Sequence, residues 1–192
     1  MSRFITVTPP TVEPITLIDA KRYLRLSASF TADDADVEMA ITAARERFEK
    51  ETGTCVAECD RVMVIDRFPA LNKEIMIDDV PIAAITKIAF NDPDGVALAI
   101  LPADLYTDTI SSPARVKPRG LWPPVGKDYN AVQVHYTAGY TPAALPRMIR
   151  IALLRMTAHN FENRNEVTET TLQALPGGVA QVIALFRKMP LR

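Results

Sequence analysis

"LPRMIRIALLRMTAHNFENRNE", residues 145–166, is the stretch on which the fold turns. At helical spacing Leu145, Ile149, Ala152, Leu153 and Met156 share one face, while Ile151, Leu154, Ala158 and Phe161 form a second apolar arc. The spacing predicts a helix that begins near Pro142 or Pro146 and runs to about Arg164. A helix apolar over so much of its girth must be covered from two sides. One cover is the chain's own core; the other is either its β-rich part or a neighbouring subunit. The polar end of the stretch, His159, Asn160, Glu162, Asn163, Arg164 and Glu166, has the residue mix of an acid/base or metal site.

Working outward, "ITLIDAKRYLRL" places Thr16 as N-cap, Asp19 in the first turn, and Leu17, Ala20 and Leu24 on one face of a short helix. "TADDADVEMAITAARERFEKETG" predicts a longer one. Thr31 or Asp33 can cap it, Val37, Ala40, Ile41, Ala44 and Phe48 recur at helical spacing, and Gly53 ends it. On the far side, "LPGGVAQVIALFRKMPLR" predicts a C-terminal helix with Val179, Val182, Ile183 and Phe186 at helical spacing, starting after Pro176 and stopping before Pro190.

Between Cys55 and about Tyr140 the period changes. "RVMVID", "EIMID", "ITKIAF", "ALAIL" and "AVQVHYTA" are short β-branched or alternating runs, and "NDPDG" at 91–95 reads as the turn of a hairpin joining 85–90 to 96–101. Prolines 69, 81, 102, 113, 118, 123 and 124 keep these strands short. The expected fold is α+β: a small helical bundle, made of the N-terminal helix pair, the long late helix and the C-terminal helix, carrying a β-rich insertion at 55–140 within a single domain of 192 residues.

A chain of this length can bury a core without disulfides or metals. It holds 22 basic and 23 acidic residues, a formal charge of −1, so no bulk electrostatic attraction draws it to nucleic acid or to an anionic membrane. Cys55 and Cys59, if on one strand, stand about 13 Å apart, too far to bridge each other. They read as two buried thiols, and the reducing cytoplasm as the simplest compartment. The start, "MSRFITVTPPTVEPITL", lacks the apolar core of a signal peptide, and no segment is long and apolar enough to span a membrane. A soluble intracellular protein is expected.

Placed on the helix, Arg155, His159 and Glu162 make one polar stripe, in which a carboxylate could orient the imidazole as a base. Yet His-x-x-Glu is neither the Glu-x-x-His of carboxylate-bridged iron sites nor a His-Glu-x-x-His zinc motif. The other histidine, His135, falls on a predicted strand. A helix end, by contrast, leaves four carbonyls unpaired, and Asn163, Arg164 and Asn165 can donate to them. The stretch reads as a helix-end or interface network, and no catalytic, cofactor or metal residue is assigned. "PGG" at 176–178 lacks the rest of a phosphate loop, and Asp33, Asp34 and Asp36 lack the glycine and glutamate of a calcium loop. Both read as helix starts. Ser111 and Ser112 have no nucleophile context, and Trp122 between a leucine and two prolines is a plug over the β-rich part or a partner anchor.

The order of segments is distinctive. "PITLIDAKRYLRL", "DVEMAITAARERFEKETGT", "VQVHYTAGY", "LPRMIRIALLRMTAHNFENRNE" and "LPGGVAQVIALFR" together resemble the head-tail connector (adaptor) family of tailed bacteriophages and gene transfer agents, in its branch with a β insertion. The most specific positions are Tyr136, Gly139 and Tyr140, then Pro146, Ile149 and Arg150, then Ala158, His159, Phe161, Glu162, Asn163 and Arg164. Asn160 departs from the family's habitual aromatic.

The resemblance implies a structural virion-assembly protein at the head-tail junction, present in the host cytoplasm during assembly. It implies a homo-oligomeric ring, commonly of 12 subunits, beneath the portal protein, with a head-completion (stopper) or tail protein below and DNA passing through the channel without specific binding. It implies no enzymatic activity, cofactor or membrane. By analogy, portal contact falls at 185–192, on Phe186, Arg187, Lys188, Leu191 and Arg192, while Arg155, His159, Phe161, Glu162 and Arg164 form a subunit interface or helix-end network. Two rival readings remain: a metal-dependent or acid/base hydrolase using Arg155, His159 and Glu162, and a monomeric regulatory binding module anchored by Trp122.

Overall fold

The structure, a computed structural model, describes residues 3–79, 81–126, 129–163 and 177–187. Its class is α+β, with four α-helices and eight strands among the described residues. These divide into two compact units: residues up to Thr11 with Glu58–Gly139, and Val12–Ala57 with the residues from Tyr140 onward.

The first unit is built on two antiparallel sheets. The larger contains β1 (Arg3–Thr8), β2 (Cys59–Ile65), β4 (Ile82–Asn91), β5 (Ala97–Ile100) and β8 (Val132–Ala138), in the order β1-β2-β8-β4-β5. The smaller has β3 (Ile75–Ile77), β7 (Ala114–Pro118) and β6 (Leu105–Asp108), in the order β3-β7-β6. Burial alternates along β8: Val132, Val134, Tyr136 and Ala138 are buried, and the residues between them are not. That is the pattern of a strand with one face on a core. The hairpin expected around 91–95 is present. Asp92 N–H donates to Val96 O at 3.0 Å, Asp92 Oδ1 accepts from Val96 N–H at 2.8 Å, and Gly95 takes φ +84°, which a side chain would resist.

A buried polar knot fixes the centre of this unit. Asp79, 3% exposed, accepts from Tyr136 Oη at 2.9 Å and from Arg61 Nη1 at 2.6 Å, so its charge is paired and hydrogen-bonded. Buried charge is tolerated only on those terms.

The second unit is helical: α1 (Leu17–Tyr23), α2 (Asp34–Thr52), α3 (Arg147–Glu162) and α4 (Val179–Phe186). Thr16 caps α1 as the sequence predicts, its Oγ1 accepting from Asp19 N–H at 3.1 Å. Gly53 ends α2 at φ 72°, donating to Glu49 O at 2.8 Å. At the other end Asp33 holds the cap position but makes no side-chain cap bond. The core joins Val37, Ile41, Ala44 and Phe48 of α2 to Ile149, Ala152, Leu153 and Met156 of α3 and to Val179 and Ile183 of α4.

Two ion pairs that spacing along one helix does not reveal, Lys21–Asp34 and Arg45–Glu13, tie segments together, and Arg45–Glu49 adds an i,i+4 pair within α2. Lys21, 4% exposed, reaches from α1 to Asp34 Oδ1 at 2.7 Å and to the carbonyls of Ala28 and Phe30. Arg45 Nε meets Glu13 Oε2 at 2.9 Å, and its Nη1 meets Glu49 Oε2 at 3.0 Å. Glu49 Oε1 in turn accepts from the N–H groups of Val56 at 2.8 Å and Ala57 at 3.3 Å, anchoring the chain as it leaves α2.

Three strands escape the sequence reading. The Pro-containing lead-in, given no element from the sequence, holds β1, which pairs with β2 and so extends the β-rich part beyond 55–140 to residues near the N-terminus. β6 and β7 are only four and five residues long and sit among prolines and serines, so the alternation of β7, ARVKP, spans too few residues to read as a strand. Cys55 and Cys59 are both buried thiols, in line with the sequence reading.

Candidate assembly surfaces

The polar end of α3 forms a helix terminus, and its side chains do not converge as a reacting site would. Asn163 N–H donates to His159 O at 3.1 Å, and Asn163 Nδ2 donates to the same carbonyl at 2.8 Å. The expected capping of free carbonyls is thus carried by Asn163; Arg164 and Asn165 lie outside the described residues. His159 Nδ1 stands 3.2 Å from Asn163 Nδ2, and its buried Nε2 has no hydrogen-bond partner among the described residues. Glu162 is exposed and makes no ion pair with His159 or Arg155 among the described residues. Arg155 instead spans to the start of α4, where Nη1 donates to Gly177 O at 2.9 Å. A general base needs its orienting carboxylate within hydrogen-bond reach, whereas here Arg155 and His159 have separate partners and Glu162 is exposed. Among the described residues no group of three or more His, Cys, Asp or Glu is placed to hold a metal ion.

The second apolar arc of α3 is divided. Leu154 and Phe161 pack, partly buried, against the chain's own core, and Ala158 is half-buried. Ile151 and Met148 remain 48% exposed, and Ile18 on α1 is 65% exposed. α1 and α3 are joined by Arg150, whose Nη1 meets Asp19 Oδ2 at 3.3 Å and whose Nη2 donates to Pro142 O. The helical unit therefore covers part of the arc itself and leaves a residue of apolar surface.

The residues expected at the portal begin on α4. Phe186 is half-buried and its carbonyl accepts from Thr54 Oγ1 at 3.2 Å, while Arg187 Nε donates to Glu51 O at 3.2 Å. Leu185, next to them, is 70% exposed. Lys188, Leu191 and Arg192 lie outside the described residues.

In the β unit Trp122 acts as a plug. Its ring stacks on Phe68 at 4.5 Å and 10°, Phe68 meets Phe90 edge-on at 5.6 Å, and Trp122 Nε1 donates to Lys73 O at 2.9 Å. On β6 Tyr106 carries Arg119 4.7 Å and Lys117 5.7 Å from its ring centre. Arg115, Lys117 and Arg119 stand in the sequence as cations at every second position; the first two mark the exposed face of β7 and Arg119 follows just beyond its end. Asp108 closes a tight turn on the same sheet, accepting from Ser111 Oγ at 2.7 Å, Arg115 Nη2 at 2.7 Å and Ser111 N–H at 3.0 Å. The Ser111 hydroxyl foremost, then Arg115, holds its carboxyl well below the usual range. His135, on β8, titrates lower than a free imidazole because it is partly buried and because Lys87 lies opposite it.

No protein-family profile matches the chain, and no curated protein does. Solved structures do. The chain is similar to one from the neck of an empty gene transfer agent (GTA) particle computed with C6 symmetry, at 21% identity and TM-score 0.78 over 99% of this chain and 97% of that one. A chain from the virion of a native gene transfer agent particle matches at 20% identity and TM-score 0.77, over 98% and 97%. One from the neck of a native GTA particle computed with C12 symmetry matches at 20% and TM-score 0.73, over 100% and 97%. The likeness runs along essentially the whole length, so the fold is that of these neck and virion chains.

Proposed function

We propose that the protein is a structural component of a virion neck, a head-tail connector that forms a ring beneath the portal and joins the DNA-filled head to the tail. The observation that carries this reading is the whole-chain likeness to neck chains at TM-scores of 0.73 to 0.78, joined to the motif order read independently from the sequence. The cyclic symmetry of those necks, C6 and C12, favours a ring of copies related by one heterologous contact. The portal protein, a stopper or tail protein, and a count of 12 subunits belong to the same reading.

Surface chemistry supports it in two places. Ile18, Met148 and Ile151 offer apolar area on the helical unit for a neighbour. Leu185 and Arg187, beside the half-buried Phe186, present an apolar and cationic end of α4 for the portal. Arg155, His159, Phe161, Glu162 and Arg164 serve on this reading as a subunit interface or helix-end network, and catalysis has no part in it.

The test is co-assembly. Purified protein mixed with portal rings is expected to sediment with them, and heads lacking it are expected to fill with DNA but fail to take tails. Failure of both would sink the connector reading. The hydrolase alternative requires His159→Ala to abolish a measurable activity, and the binding-module alternative requires Trp122→Ala to abolish partner binding without altering assembly.

A further inference from the structure

The larger sheet has two open edges, β1 and β5. Globular proteins blunt such edges with lysine, proline or inward charges, because an open ladder invites another strand. β5 and its flanks, "VALAIL" at 96–101, carry no charge and no proline. Ala97, Leu98 and Ala99 are exposed, as are Val96 at 53% and Leu101 at 57%. No main-chain hydrogen bond among the described residues reaches β5 from its outer side. At the opposite edge, β1 is rich in β-branched residues, with Ile5 42% and Val7 58% exposed. Its register against β2 is regular over four residues, Arg3 to Thr6, before a bulge at Thr6/Thr8. β5 is also four residues long.

We propose that β5 of one copy adds to β1 of the next, so that the sheets run on from subunit to subunit around the ring. The proposal rests on the ring reading above and specifies its contact. Strand direction fixes the geometry. Every neighbouring pair in the five-stranded order is antiparallel, so β1 and β5 point the same way. Rotation about an axis along the strands preserves that direction, and the junction between copies is therefore parallel. The contact joins two different surfaces of the chain, which is what closes rings, whereas two identical edges would close only dimers. Main-chain ladders of this kind supply affinity, and side chains at alternate positions supply selectivity.

The hairpin identifies the groups involved. Val96 O faces β4, since it accepts from Asp92 N–H at 3.0 Å. Main-chain groups alternate sides along a strand, so Leu98 and Ile100 bond to β4 while Ala97 and Ala99 direct their N–H and C=O outward. Ala99→Pro thus deletes an outward donor at an edge position that tolerates proline, and Leu98→Pro breaks the hairpin itself.

The experiment uses the full chain assembled on portal rings. Ala99→Pro is expected to keep the wild-type circular dichroism and melting temperature and to lower assembly by at least tenfold. Thr6→Cys/Ala99→Cys, oxidised in the assembled state, is expected to give a ladder of covalent multimers, with neither single variant doing so. If wild type assembles and Ala99→Pro assembles equally well with no ladder, the edge contact is wrong and the connector reading stands. If Ala99→Cys alone gives a covalent dimer, the edges meet symmetrically and the parallel junction is wrong. If wild type does not assemble at all, both proposals fall.

Discussion

Arg155 and Gly178 are fitted to one another across the gap between α3 and α4. A Cβ at Gly178 would stand 2.7 Å from Arg155 Nη1, the atom that donates to Gly177 O at 2.9 Å, and Gly178 itself has φ +81°. Gly178→Ala is expected to cost about 1–2 kcal/mol from the left-handed backbone, with a further cost from displacing the guanidinium. In an Arg155→Ala background that second cost vanishes. Urea denaturation of both single variants and the double should show Gly178→Ala costing less when Arg155 is absent; strict additivity would mean the two do not touch.

Lys21 gives a prediction about the buried cation. Lys21→Met leaves two carbonyls and Asp34 without their donor and should lower stability by about 2–3 kcal/mol. Asp34→Asn should cost less, because Asp34 is 27% exposed and water can compensate. Chemical denaturation orders the two, and a larger loss from Asp34→Asn would contradict the account.

Glu49 makes three contacts with one carboxylate: Val56 N–H, Ala57 N–H and Arg45. Glu49→Ala strands two buried donors and an arginine, a loss of about 2–4 kcal/mol. Glu49→Gln keeps one oxygen for the backbone donors and should recover about half of that loss. A glutamine variant as unstable as the alanine variant would place the value of the contact in the Arg45 pair alone.

Asp108 bears on pH. Its folded-state carboxyl titrates lower than in the unfolded chain, so the folded state releases this proton more readily. The linked stability is present above the ordinary carboxylate range and is lost as pH falls through the lower folded value. Carbon-detected NMR titration should show Asp108 still ionised at about pH 3, where unperturbed aspartates with pKa near 3.9 are mostly protonated. Ser111→Ala removes the largest cause and should raise the midpoint toward the ordinary value. An unchanged midpoint would point to Arg115 instead.

The α2 and α3 faces were legible because a helix writes its burial at a fixed period: Val37, Ile41, Ala44, Phe48, Ile149, Leu153 and Met156 are buried where spacing placed them. The hairpin at 91–95 was legible because glycine, proline and aspartate demand particular backbone angles. β1 was not, since "RFITVT" earns its strand only by pairing with β2, about 60 residues later in the chain. The His159 stretch misled as a composition, because residues sharing a helix face need not reach one another.

What the sequence determined by itself was local: the helix faces, the caps at Thr16 and Gly53, the hairpin turn, and an order of segments that resembles one family. What only the tertiary structure decided was pairing at a distance: β1 beside β2, Lys21 with Asp34, Arg45 with Glu13, Asp79 with Tyr136, and the two open edges of one sheet. The reason is physical. Periodicity and turn chemistry act over a few bonds and leave a trace in neighbouring residues, whereas a ladder or a buried ion pair depends on which segments meet after the chain has closed on itself.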